Sequence, residues 1–101
     1  MTEYHLKEIF VNVERYVMPL IGSDSPSGFS KEENKILALQ NVSRLNQRIG
    51  FLAREHVAEL GEMRLLQTYV NSLTLGLKTD NVPQMKSALS SVRNLLKTLD
   101  P

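Results

Sequence analysis

The chain contains no cysteine. That excludes disulfides, thiolate metal sites and cysteine nucleophiles, although it does not fix the compartment. Prolines number only four and glycines five, and the hydrophobic share of 42% against 23% charged residues is that of a globular domain. Charge of one sign is not in excess either. The formal net charge is +1, so bulk electrostatics draw the protein toward neither nucleic acid nor an anionic membrane. The N-terminal stretch MTEYHLKEIFVNVERYVMPLIG sets acids among its apolar residues, unlike an export signal, and it is too short and too polar to span a bilayer. The expected location is the cytosol, with no membrane partner. Asn41-Val42-Ser43 matches the glycosylation pattern, but without an export signal the match is read as chance. No strand pattern, internal repeat or low-complexity segment occurs.

What is present is helical periodicity. At 101 residues the chain is one domain, expected to be all-helical over 1–101. Leu6, Ile9, Phe10, Val13, Val17, Leu20 and Ile21 recur at three- and four-residue spacing, an amphipathic helix over about 3–21 whose last turn Pro19 makes irregular. GSDSPSGF, 22–29, is the loop-like stretch, and Ser25-Pro26 within it is too little to establish a phosphorylation site. Ser30 and Glu33 form a capping-box pattern that opens the next helix. Asp80 or Asn81 can cap a closing helix over about 83–99, with Pro83 in its first turn and Met85, Ala88, Leu89, Val92, Leu95, Leu96 and Leu99 as its apolar face.

Between these lies the longest pattern. Val42, Ile49, His56, Met63, Val70 and Leu77 fall seven apart, and so do Ala38, Leu45, Leu52, Glu59, Leu66 and Leu73. These are a and d positions of a heptad repeat, as in a coiled coil. A weaker stripe adds Leu37, Phe51, Ala58 and Leu65. One architecture carries a single helix through 31–78; the other breaks it near Gly61 into a helical hairpin. The unchanged heptad phase, and the lack of a capping residue after Gly61, favour the single helix. Such a helix would be about 70 Å long at 1.5 Å per residue. One short chain cannot cover it, so this reading predicts an elongated homodimeric bundle.

In AREHVAELGEM, 53–63, one of the two histidines sits among three carboxylates and a glycine. On the single-helix reading, His56 of one chain meets Glu59 of another near a two-fold axis. The pair then sets register and makes dimerisation pH-sensitive. Leu45, Ile49, Leu52, Met63 and Leu66 carry the apolar contact, and with His56 and Glu59 they are the expected interface. A metal site is disfavoured, because inward-facing Glu-x-x-His sites draw carboxylates from four helices and His56-x-x-Glu59 has no counterpart. The chain resembles histidine phosphotransfer domains only in size, helical class and a lone helical histidine. In HVAELG, Glu59 stands where a positive charge is wanted and would repel a phosphoryl group. No Gly-x-Ser-x-Gly and no phosphate-cradling Gly-Lys-Ser/Thr occurs.

The function expected is therefore non-enzymatic. The chain reads as a helical protein–protein interaction module, an adaptor, regulator or chaperone-like binder, acting as a homodimer and binding another protein without cofactor or metal. The alternative is a nucleic-acid-binding regulatory dimer. Lys86, Arg93 and Lys97 share one side of the last helix, and Arg44, Arg48 and Arg54 are spread along the central one. Against it, Glu55, Glu59 and Glu62 interrupt the basic track, and no aromatic residues interleave with the arginines. A phosphotransfer-like or metal-binding bundle ranks third.

Overall fold

Leu6, Phe10, Val13 and Val17 form the buried face of α1, Leu6–Val17. The fold is that of a computed structural model, which describes residues 6–22, 28–55 and 60–99, with backbone alone at 60 and 99. After Val17 the chain tightens into a 3₁₀ turn, Met18–Ile21. Pro19 lies in that turn, where it has no backbone N–H to donate. Gly22 closes the turn at φ +89°, its N–H donating to the Met18 carbonyl. Glycine takes this left-handed conformation without steric cost.

Helix α2, Lys31–Glu55, opens on a reciprocal cap. The Ser30 N–H donates to Glu33 Oε1 at 3.0 Å, and the Glu33 N–H donates to Ser30 Oγ at 3.2 Å. The Glu33 carboxyl is held below the ordinary glutamate range, first by the Ser30 backbone N–H and then by the Ser30 side chain. Ser30→Ala removes the oxygen that accepts the Glu33 N–H, and loss of such an N-cap typically costs about 1 kcal/mol in denaturant unfolding. The pH sign follows from a lowered carboxylate pKa. The Glu33 contribution is complete above the ordinary glutamate value and is lost as pH falls through the lowered folded value. Melting temperatures of wild type and Glu33→Ala should accordingly draw together in acid; a gap that stays constant with pH would contradict the assignment.

Helices α3, Leu60–Lys78, and α4, Val82–Leu99, are joined by a tight turn. Asp80 takes the left-handed conformation at φ +53°, and the Asn81 N–H donates to the Gly76 carbonyl at 2.9 Å, a Schellman-type closure. Asn81 then caps α4. Its Oδ1 accepts the Gln84 N–H at 3.2 Å, and its Nδ2 donates to Gln84 Oε1 at 3.3 Å. Lys35 Nζ lies 3.3 Å from Asp80 Oδ1, tying the start of α2 to this turn.

The helices pack in chain order: α1 on α2, α2 on α3, α3 on α4, with α1 and α4 meeting less closely. Lys35 meets Asp80, Asn46 meets Asn71, and Gly50 lies against Gln67. Rising numbers on α2 thus face falling numbers on α3, and the pair is antiparallel. Among the described residues the result is an up-down-up-down bundle of four α-helices, with Cα extents of 40 × 23 × 19 Å and a radius of gyration of 13.2 Å. A compact chain of this length is expected near 13 Å. Among the described residues all secondary structure is helical.

This corrects the single helix over 31–78. α2 ends at Glu55 and α3 begins at Leu60, so the chain reverses between them as in the hairpin broken near Gly61, and Gly61 itself lies in the first turn of α3 rather than capping the end of α2. Heptad phase did not reveal the reversal for a simple reason. Leu52 and Met63, the core residues flanking it, are eleven positions apart. At about 3.6 residues per turn that is nearly three whole turns, so two helices that both face inward keep the phase of one. The described heptad positions, from Ala38 to Leu77, line one intrachain core, none more than 3% exposed. Of the weaker stripe, Leu37 is half-buried, Phe51 and Leu65 are exposed, and Ala58 lies outside the described residues. Asn41 of the glycosylation pattern is buried mid-helix, its Nδ2 donating to the Leu37 carbonyl at 2.8 Å.

Candidate partner-binding groove

The residues expected at an interface between chains fall into two groups. Leu45, Ile49, Leu52, Met63 and Leu66 are all buried inside the one chain, so this conformation offers none of them to a second copy. The physical reason is the reversal after Glu55, which lets α3 cover the seam that a straight helix would have left open. His56 and Glu59 lie outside the described residues.

The bundle is least closed between α1 and α4. A groove of about 200 Å³ runs there, lined by Lys7, Phe10, Val11, Glu14, Arg93, Leu96 and Lys97. Helical spacing explains the lining. Lys7, Phe10, Val11 and Glu14 fall at three- and four-residue steps along one flank of α1, as Arg93, Leu96 and Lys97 do along α4. Phe10 and Leu96 form a buried apolar floor, whereas Val11 on the rim is 58% exposed. At one end Arg93 bridges the helices. Its Nε donates to Glu14 Oε2 at 3.1 Å, and its Nη2 donates to the same oxygen. Toward the other end Lys7 and Lys97 line the groove, and neither forms an ion pair among the described residues.

Other surface features are weaker. A hollow of about 250 Å³ between α2 and α3 is lined mainly by polar side chains, including Ser43, Asn46, Asn71, Thr74 and Lys78. Two of these already face each other, Asn46 Nδ2 donating to Asn71 Oδ1 at 3.4 Å. Ile36, Phe51, Leu65 and Leu75 are exposed, but scattered apolar side chains are ordinary on a protein surface. Phe51 is also partly covered, the Arg48 guanidinium carbon lying 5.4 Å from its ring centroid. Tyr16 is half-buried and meets Phe29 edge-on, centroids 6.0 Å apart. Among the described residues no three His, Asp or Glu side chains come together as metal ligands, and no helix is long and apolar enough to cross a membrane.

The basic residues are split. Arg44, Arg48 and Arg54 lie on α2, while Lys86, Arg93 and Lys97 lie on α4, and these two helices do not pack against each other. The α1–α4 groove itself was not found from sequence. Its two walls are some eighty positions apart in the chain. The one sequence signal that pointed toward it was the basic side of the last helix.

No family model matches the chain, no curated protein is similar to it at a significant level, and no solved structure matches its fold at a significant level.

Proposed function

We propose that the protein is a non-enzymatic helical interaction module of the cytosol, an adaptor or regulator that receives another protein in the groove between α1 and α4. The observation that carries this reading is Val11. It is a large apolar side chain left exposed beside an apolar floor, at the one helix pair the bundle leaves loosely closed. The homodimer expected from the heptad pattern loses its support, because the seam residues are already covered within one chain. The nucleic-acid reading is weakened by the separation of its two arginine and lysine groups, and by the commitment of Arg93 to Glu14.

The test compares two exposed apolar positions. Val11→Asp and Ile36→Asp both change surface residues, so neither should move stability by more than about 0.5 kcal/mol. Tagged wild type, Val11→Asp and Ile36→Asp are expressed in the source cell, and co-purifying protein is quantified. A protein held by wild type and Ile36→Asp but lost with Val11→Asp is the expected result. Retention indifferent to Val11, or retention of nucleic acid alone, overturns the reading.

A further inference from the structure

Resting on that reading, we infer that the α1–α4 groove takes an acidic amphipathic helix from the partner. The size of the groove comes first. About 200 Å³ is below the range of sites that enclose a small organic ligand, roughly 300–1,000 Å³. It suits one or two side chains projecting from a larger body. The shape comes next. Lys7 to Glu14 spans two turns of α1, about 10 Å at 1.5 Å per residue. Apolar side chains at i and i+7 on a guest helix, two turns apart, match that length.

A helix is also the occupant that this fold favours. An extended peptide adds to a sheet edge, and proline-rich segments dock between aromatic rings. The described residues offer no strand, and among them Phe10 is the one aromatic ring lining the groove. An amphipathic helix instead lays its apolar face into a hydrophobic groove, such as the one between α1 and α4 floored by Phe10 and Leu96.

Charge selects the sign of the guest. Among the described residues the groove lining holds three cations and one carboxylate, and that carboxylate, Glu14, is taken by Arg93. Lys7 and Lys97 are left facing whatever sits in the groove. Over all of α4 there is no acidic residue, and Lys86 adds a further cation to the helix. The whole chain, by contrast, is close to neutral at +1. Glu8, the other acid of α1, is not among the groove-lining residues. The described lining is thus net basic, and carboxylates flanking an apolar stripe complement it.

The experiment uses the full chain and three synthetic helical peptides of one design. Each carries Leu at i, i+4 and i+7 and one Trp reporter, with flanking positions filled by Glu, Gln or Lys. The protein has no Trp, so peptide fluorescence reports binding without background. The Glu peptide is expected to bind at least tenfold more tightly than the Gln peptide, to weaken as salt rises, and to perturb the NMR signals of Val11 and Leu96. In a Lys7→Glu/Lys97→Glu variant with unchanged circular dichroism, the preference should reverse toward the Lys peptide. Equal binding of Glu and Gln peptides, or perturbations away from the groove, overturns the acidic-helix inference. If no peptide binds while Val11→Asp still releases the co-purifying protein, this inference fails and the interaction reading stands. Binding of a DNA duplex in place of every peptide overturns both. Sedimentation of the purified chain as a dimer that Val11→Asp dissociates assigns the groove to a second copy and overturns the acidic guest.

Discussion

Replacing Leu45 or Ile49 by alanine is expected to lower unfolding free energy by about 2–5 kcal/mol, with no dependence on protein concentration. Both side chains are fully buried, Leu45 and Ile49 each at 0% exposure, in the core shared by α2 with its neighbours. The cost has two parts: transfer of the deleted methyl and methylene groups, and the cavity left where the surrounding helices cannot collapse. A domain of this size holds about 5–15 kcal/mol in all, so either variant should lose a large fraction of it. Urea unfolding measures this directly, since the midpoint moves while the slope stays. The concentration arm separates two roles for the same residues. In a seam between chains, folding is coupled to association and the midpoint rises with protein concentration. In an intrachain core it does not. A wild-type midpoint that climbs over a hundredfold concentration range would restore the interface role of Leu45, Ile49, Leu52, Met63 and Leu66.

The second large effect concerns Gly76, where α3 and α4 approach. A Cβ added there would lie 3.2 Å from the Met85 backbone nitrogen, 3.3 Å from Met85 Cγ and 3.4 Å from Gln84 Cβ. These neighbours are anchored. The Met85 N–H donates to the Asn81 carbonyl at 3.0 Å, and Gln84 Nε2 donates to the Ser72 carbonyl at 3.0 Å. Gly76→Leu should force the start of α4 away from α3 and cost about 1–3 kcal/mol as overpacking. Gly76→Ala should come out near neutral, the tight contact offsetting a helix-propensity gain of about 1 kcal/mol. Gly50 supplies the contrast. Its added Cβ would meet only Gln67 Nε2 at 3.7 Å, an ordinary contact, so Gly50→Ala should stabilise by about 1 kcal/mol. Thermal midpoints should therefore rank Gly50→Ala above wild type and Gly76→Leu lowest, with about 4–8 °C per kcal/mol. A Gly76→Leu protein as stable as wild type would show that the helices do not approach so closely.

Local chemistry was the legible part of the sequence. The reciprocal bonds of Ser30 with Glu33, the cap by Asn81 and the irregular turn at Pro19 are each written within a few neighbouring residues. Short-range signals of this kind act through backbone groups that no distant contact is needed to satisfy. The inward faces of the helices were legible too, since Val42, Leu45, Ile49, Met63, Leu66 and Val70 repeat at helical spacing and are buried. What those faces pack against was not. His-Val-Ala-Glu, between α2 and α3, contains no glycine, proline, asparagine or aspartate to announce a reversal. Burial by the same chain and burial by a second copy impose the same apolar period on a helix. The groove was still harder to read, because it depends on how far α1 stands from α4, a distance set by the whole bundle. Lys97 and Arg93 read as one basic stripe in the sequence, but the fold gives them different roles: Arg93 clamps Glu14, and Lys97 faces the open groove.

Small-angle scattering of the purified chain, with mass from sedimentation, tests most directly whether the backbone doubles back after Glu55 and closes its core within one copy. A monomer with a radius of gyration close to the Cα value of 13.2 Å, and a longest dimension that exceeds the 40 Å Cα extent only by side chains and hydration, is the predicted result. A dimer-sized particle about 70 Å long, the length of an unbroken helix over 31–78, would contradict it.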